Sequence, residues 1–163
     1  MSQPLPYNFN QQGNSYRFQT DAGVYYHVAF TDGSFYFTGF PAYLSVFEFG
    51  ISVITLGDNL SPPFDRRVEA TVVTILKTFL SDHENSVIYT CETLDQRQHA
   101  RHRKFDMWFK QNLVDIPELE KHDIFVTYED FEVIASLIIH KQNSNKEELV
   151  KLFFDQAKTL DKD

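Results

Sequence analysis

A single cysteine, Cys91, leaves this chain no partner for an intramolecular disulfide. That composition suits a reducing, cytoplasmic setting. Glycine and proline are scarce, six of each in 163 residues, and no Gly-rich phosphate loop or Ser-nucleophile elbow appears. No apolar run reaches the ~18–20 residues needed to cross a bilayer. The opening MSQPLPYNFN has neither a basic n-region nor an apolar h-region, so no secretory signal is expected. Positive charge is also short: 15 Lys and Arg against 23 Asp and Glu give a net charge of −8 and a pI of about 5.2. Broad nucleic-acid binding needs an extended basic face, so neither nucleic acid nor membrane is expected as a partner. The histidines (His27, His83, His99, His102, His122, His140) show no HxxxH or HxH spacing. His99 and His102 lack a matching third ligand, and no metal or other cofactor is expected.

What is abundant is apolar and aromatic. Hydrophobic residues make up 42% of the chain, with 16 Phe and 8 Tyr. A chain of this length can bury a core without staples and is read as one domain over 14–160. Residues 1–13 are polar and Pro-containing and are expected to be a flexible N-terminus.

Residues 14–20 (NSYRFQT) alternate polar and apolar, the signature of a half-buried strand. Asp21-Ala22-Gly23 reads as a tight turn into a second strand, 24–30. A third strand is expected at 43–54, with Gly50 marking a bulge or a close backbone approach. The aromatic run Phe35, Tyr36, Phe37, Phe40, Tyr43 between them is either an exposed partner patch or, the favoured account, a loop packed back on the sheet. The segment GDNLSPP carries helix-start chemistry, with Ser61 or Asp65 as cap. A helix over 64–82 would bury Val68, Val72, Ile75, Leu76, Phe79 and Leu80.

SVIYTC (86–91) reads as a strand in the sheet interior, parallel to a neighbour and covered on both faces. Asp95 with Gln98 is a capping-box pattern opening a second helix, from which Phe105, Trp108 and Phe109 should be largely buried. Residues 123–128 and 131–140 pair as a hairpin, and Ser144 with Glu147 is a second capping box before a helix at 145–160. The expected fold is α/β (α+β): a mixed sheet in the order βββ-α-β-α-ββ-α.

The chemistry concentrates in VIYTCETLDQRQHARHRKFDMWF, residues 87–109. Arg97 and Arg101 lie one helical turn apart just beyond a strand end, and could grip a carboxylate or phosphate bidentately. Internal pairing with Glu92 or Asp95 is the competing account. Cys91, before a helix N-terminus and near arginines, is a conceivable thiolate nucleophile or else a small buried hydrophobe. His102 could meet it only through the fold. Arg97, Arg101, His102, Cys91 and Asp95 are therefore the candidates for binding a protein partner or a small anionic ligand; no catalytic residue is assigned.

This order of elements resembles the core of the GNAT (N-acetyltransferase) superfamily, as topology over roughly residues 14–140. That superfamily opens its first crossover helix with an Arg/Gln-x-x-Gly-x-Gly/Ala loop that holds the cofactor pyrophosphate. Aligned on Pro62, Asp65 stands where Arg or Gln belongs, and Val68 replaces the first Gly. Phe105 stands for the superfamily's Tyr general acid and cannot donate a proton. The chain also resembles a bacterial family of small uncharacterised proteins. The likeness is carried by Tyr16-x-Phe18, Tyr89-x-Cys91, the Arg-rich helix start and Phe105-x-x-Trp108-Phe109. The resulting expectation is a non-catalytic interaction or regulatory protein on a GNAT-like scaffold. The alternatives are an acyl-CoA-dependent N-acyltransferase with an atypical cofactor loop, using Glu48 as base, and an acidic, antitoxin-like partner of a basic protein.

Overall fold

The structure is a computed structural model; it describes residues 4–34, 37, 39–41, 44–54, 63–91, 98–112, 116–128 and 131–160, and the side chains of these except 91, 98, 99, 101, 126–128, 131 and 157–160. Its elements follow the chain as β1 (Phe9–Gln12), β2 (Ser15–Gln19), β3 (Tyr25–Asp32), β4 (Phe47–Val53), α1 (Arg66–Phe79), β5 (Ser86–Cys91), α2 (Gln98–Asn112), β6 (Leu119–Tyr128), β7 (Phe131–His140) and α3 (Lys146–Leu160). The seven strands form one sheet in the order β1-β2-β3-β4-β5-β7-β6. Neighbours are antiparallel except β4 and β5, which are parallel. The mixed α+β architecture expected from the pattern is what forms. None of the described helices is long and apolar enough to cross a membrane.

Period-two alternation builds the first half. Tyr16, Phe18, Tyr26, Val28 and Phe30 are buried, while Arg17 and Gln19 are exposed. The aromatic rings stack across strands: Phe18 lies 5.1 Å from Tyr26, and Phe30 lies 3.8 Å from Phe79 of α1 at an interplanar angle of 3°. Such pairs add to their burial energy. The 20–24 turn closes as expected, with Gly23 at φ 82 and its N–H donating to the Thr20 carbonyl at 2.9 Å.

The expectation of a loose segment over residues 1–13 needs correction. Residues Phe9–Gln12 pair antiparallel with β2, and Tyr7 is buried. Gly13, at φ 60, makes the reversal between β1 and β2 that a side-chain-bearing residue would resist. The third expected strand begins at Phe47 rather than 43, and β6 begins at Leu119 rather than 123. Gly50 makes no close approach: a Cβ built there meets nothing within 4 Å.

In the second half both faces are covered. Val87 and Ile138 join the cluster under α1 and α2; Ile88, Ala135 and Leu137 pack with Phe153 of α3, and Ile139 packs with Leu149. β5 is thus parallel to β4 and covered on both sides, as its unbroken apolar sequence implies. Phe37 of the aromatic run is buried against this α3 cluster, with Phe40 packed beside it. Phe35, Tyr36 and Tyr43 lie outside the described residues. On α2, Phe105 is buried, but Trp108 and Phe109 are only partly so, a correction to the expectation for all three. Both line a small apolar cavity of about 30 Å³ with Leu76, Leu80 and Ile138.

Candidate functional site

Asp95 and Arg97 lie outside the described residues, as do the side chains of Cys91 and Arg101. The backbone of Cys91 ends β5 opposite Ile134 of β7. Arg101 and His102 stand in the second turn of α2. His102 is the candidate whose surroundings the structure describes.

Strand register explains those surroundings. Directly opposed residues on neighbouring antiparallel strands share a face. Tyr89, Ser136 and Asp123 therefore form one row beneath α2, with Val87, Ile138 and Lys121 behind it, and Ile134 and Phe125 ahead. His102 sits over this array with its side chain 12% exposed. Its Nε2 is 3.9 Å from Asp123 Oδ2, and its ring meets Phe125 edge-on at 5.4 Å.

Asp123 is the hub. Its Oδ1 accepts from Lys121 Nζ at 2.6 Å and from Ser136 Oγ at 2.6 Å. Lys121, whose side chain is only 5% exposed, also donates to Asp106 Oδ1 of α2 at 3.0 Å. Asp106 in turn pairs with Lys110 one turn on, at 2.8 Å. Burial raises the Asp106 pKa, but the hydrogen bonds and charges of Lys110 and Lys121 outweigh it and leave the carboxyl below its ordinary range. The arrangement is not that of a nucleophile and its base. Ser136 donates to a carboxylate rather than to an imidazole, and the His102 Nδ1 is buried rather than turned to solvent. The cluster acts as a clamp that ties α2 to β6 and β7.

The residues that build it were not among the sequence candidates. Lys121 and Asp123 are separated by two, the spacing that puts both on one face of a strand. The 119–123 stretch LEKHD is too charged to suggest a strand, so that signal had no frame. The Asp106–Lys110 pair at i, i+4 was readable directly.

A second region is the junction of β4 and β5. Their ladder consists of Phe47↔Val87 and Glu48↔Ile88. Beyond it the rings of Phe49, Tyr89 and Phe105 pack together. Tyr89 stacks on Phe105 at 4.3 Å, and Phe49 lies 5.8 Å and 6.1 Å from those two rings. At the start of α1, Asp65 is the N-cap, as expected, and its Oδ1 accepts the Arg67 N–H at 2.9 Å. Tyr7 OH donates to its other oxygen at 2.5 Å, and Arg67 lies over the Tyr7 ring at 3.8 Å. Glu48 points to the opposite face, where it lines a shallow open groove of about 190 Å³ with His27, Ala29, Thr31, Gly50 and Ser52.

Among the described residues no group of three or more His, Cys, Asp or Glu converges as a metal site would require. No curated protein and no solved structure matches the chain. One family model does match, over residues 64–155, from the start of α1 into α3. That span is more than half of the chain, and it shows that the chain belongs to a family of unknown function, DUF6169.

Proposed function

We propose that this protein is a non-catalytic interaction or regulatory protein on a GNAT-like scaffold, working in the cytoplasm. In that reading the basic start of α2 receives an anionic guest, a small carboxylate or phosphate or an acidic segment of a partner protein. The supporting observation is the packing at the β4–β5 junction. Open α/β sheets usually take their ligands at the carboxyl ends of the strands, and here the rings of Phe49, Tyr89 and Phe105 pack against one another just beyond the β4–β5 ladder. The start of α1 agrees with this. The Arg67 amide there is engaged by the Asp65 carboxylate, which would repel a pyrophosphate rather than hold it.

The proposal is tested by titrating the protein with acetyl-CoA and, separately, with inorganic phosphate and a polyglutamate peptide. Acetyl-CoA at millimolar concentration should leave the melting midpoint unchanged. A ligand at a hundredfold over its Kd would add about 2.7 kcal/mol. An anionic probe should bind, and Arg97→Glu with Arg101→Glu should abolish that binding in a protein that still folds. Stoichiometric acetyl-CoA binding, or anion binding that persists in the double variant, overturns the reading.

The second reading, an acyl-CoA-dependent N-acyltransferase, is favoured by the single parallel pair at β4 and β5 joined through α1. Glu48, on the open groove, would then take the proton of the acceptor amine. Acetyl-CoA binding is the measurement that divides the two.

A further inference from the structure

His140 is the last residue of β7 and is 7% exposed. Its ring is covered by that of His83, which lies on the exposed turn between α1 and β5. The centroids are 3.7 Å apart and the planes 14° from parallel. Parallel imidazoles cannot converge their in-plane lone pairs on one metal ion. The backbone N–H of Gln142 donates to His140 Nδ1 at 2.9 Å. A backbone N–H can only donate, so that nitrogen carries no proton and the ring is neutral with its proton on Nε2.

The stack joins two turns that are also tied through Glu84 and Ser144. Glu84, next to His83, accepts from the Ser144 N–H at 3.2 Å and from Ser144 Oγ at 2.5 Å. This replaces the capping box expected between Ser144 and Glu147. The turn that starts α3 instead draws on Asn143, whose side chain accepts the Asn145 N–H at 2.8 Å. The start of α3 is thus held by residues 140–145 and the 82–85 turn, together with Lys146, whose Nζ donates to Glu120 of β6 at 3.1 Å.

We infer that the His83–His140 stack is an acid-released latch that frees the start of α3 while the sheet stays folded. Protonating His140 puts a proton on Nδ1 facing the Gln142 N–H, so one hydrogen bond becomes a donor–donor clash. It also places a cation in a buried site under the His83 ring, whose centroid is 3.7 Å away. The charged groups around His140 are few. His83 and Glu84 come from the α1–β5 turn, Glu118 precedes β6, and Lys141 follows on an exposed turn. Burial and His83 push the His140 pKa below 6.5, and Glu118 opposes them without reversing the direction. A histidine held neutral in the fold contributes stability that is present above its unfolded-chain value of 6.5 and is lost as pH falls through its lower folded value.

Histidine ring and backbone amide resonances, followed by NMR from pH 8 to 5, test this. The His140 ring should titrate below 6.5. The amides of 83–85 and 141–146 should shift with the same midpoint, and their hydrogen exchange, corrected for the intrinsic rate, should rise at least tenfold at the acid end. Amides of β5 and of the middle of β7 should not follow. His83→Ala should raise the His140 midpoint, and His140→Gln should remove the local response. If His140 titrates at 6.5 or above, the latch does not exist. It is equally overturned if the response survives His140→Gln, or if the sheet opens together with the turns. Should His140→Gln fail to fold, His83→Ala alone decides through the direction of the His140 shift.

Discussion

The two halves of the sheet solve burial differently. In β1–β4 one face carries Tyr16, Phe18, Tyr26, Val28, Phe30 and Phe49 into the core, while the other shows Arg17, His27, Thr31 and Ser52 outward. In β5, β7 and β6 both faces are occupied, by α1 and α2 on one side and α3 on the other. The halves meet at the short β4–β5 ladder. Where only one face is covered, the sequence alternates; where both are covered, it runs apolar, as in VIASLII. Charge follows the same division. On the half-covered side it points to water. On the doubly covered side the edge strand β6 turns Lys121 and Asp123 inward on one face, and Glu120, paired with Lys146 at 3.1 Å, on the other. Inward charges on an edge strand discourage further strand pairing.

The largest expected effect breaks the doubly covered half. Leu137 is fully buried among Ile88, Ala135 and Phe153. Leu137→Ala should cost about 2–5 kcal/mol in a urea melt, for lost burial and a cavity that neighbours on both faces cannot fill. Arg17→Ala, on the open face, should stay within about 0.5 kcal/mol. Comparable losses at the two positions would mean that the outer face of β2–β4 is packed against something in solution.

A smaller effect is expected at the clamp. Lys121→Met keeps volume but leaves Asp106 and Asp123 without their shared cation. Both carboxylates are about a quarter exposed, at 25% and 28%. Water therefore screens part of the penalty, and the loss should be about 2 kcal/mol at pH 7 rather than the larger cost of a fully buried charge. The sign with pH follows from Asp106, whose folded pKa is lowered. Its stabilisation is full above the unfolded carboxyl value and is lost as pH falls through the lower folded value. Denaturant melts of the two proteins should thus converge below about pH 4. A gap that stays constant down to pH 3 would show that the variant acts through packing instead.

The same contrast governs what was legible. The strands of the alternating half, the helices α1 and α3, and the interior position of β5 could be read because local periodicity and the dominant burial agree. β1 could not. Its FNQQ is too short and polar to alternate, and it is held by pairing Phe9 with Phe18 and by the reversal at Gly13. The first half of β6 was hidden by charges whose partners lie on α2 and α3. Trp108 appeared more buried than it is because an apolar stripe does not say how closely the facing helix approaches. The site was least legible. His102 was named, but Asp123, Lys121 and Ser136 reach it only through the register of β6 and β7, a long-range property. Ser144 likewise found Glu84, sixty residues away, rather than the glutamate three residues on.

The smallest prediction has the opposite sign and sharpens the comparison at its quietest point. Gly50 sits in β4 on the open face, directly opposite Ala29. Glycine inside a strand lowers stability, because the unfolded chain loses more freedom on ordering. It is retained at no such cost where a turn needs positive φ or where backbone or ligand comes close. Gly50 has neither requirement within this fold: it is absent from the positive-φ glycines, and a Cβ there meets nothing within 4 Å. Gly50→Ala should therefore stabilise the protein by about 0.5 kcal/mol, raising Tm by roughly 1–2 °C. A loss of stability instead would mean that the groove over Ala29 and Gly50 is closed in solution by something that fits against a bare backbone. The half-covered side of the sheet would then be covered after all.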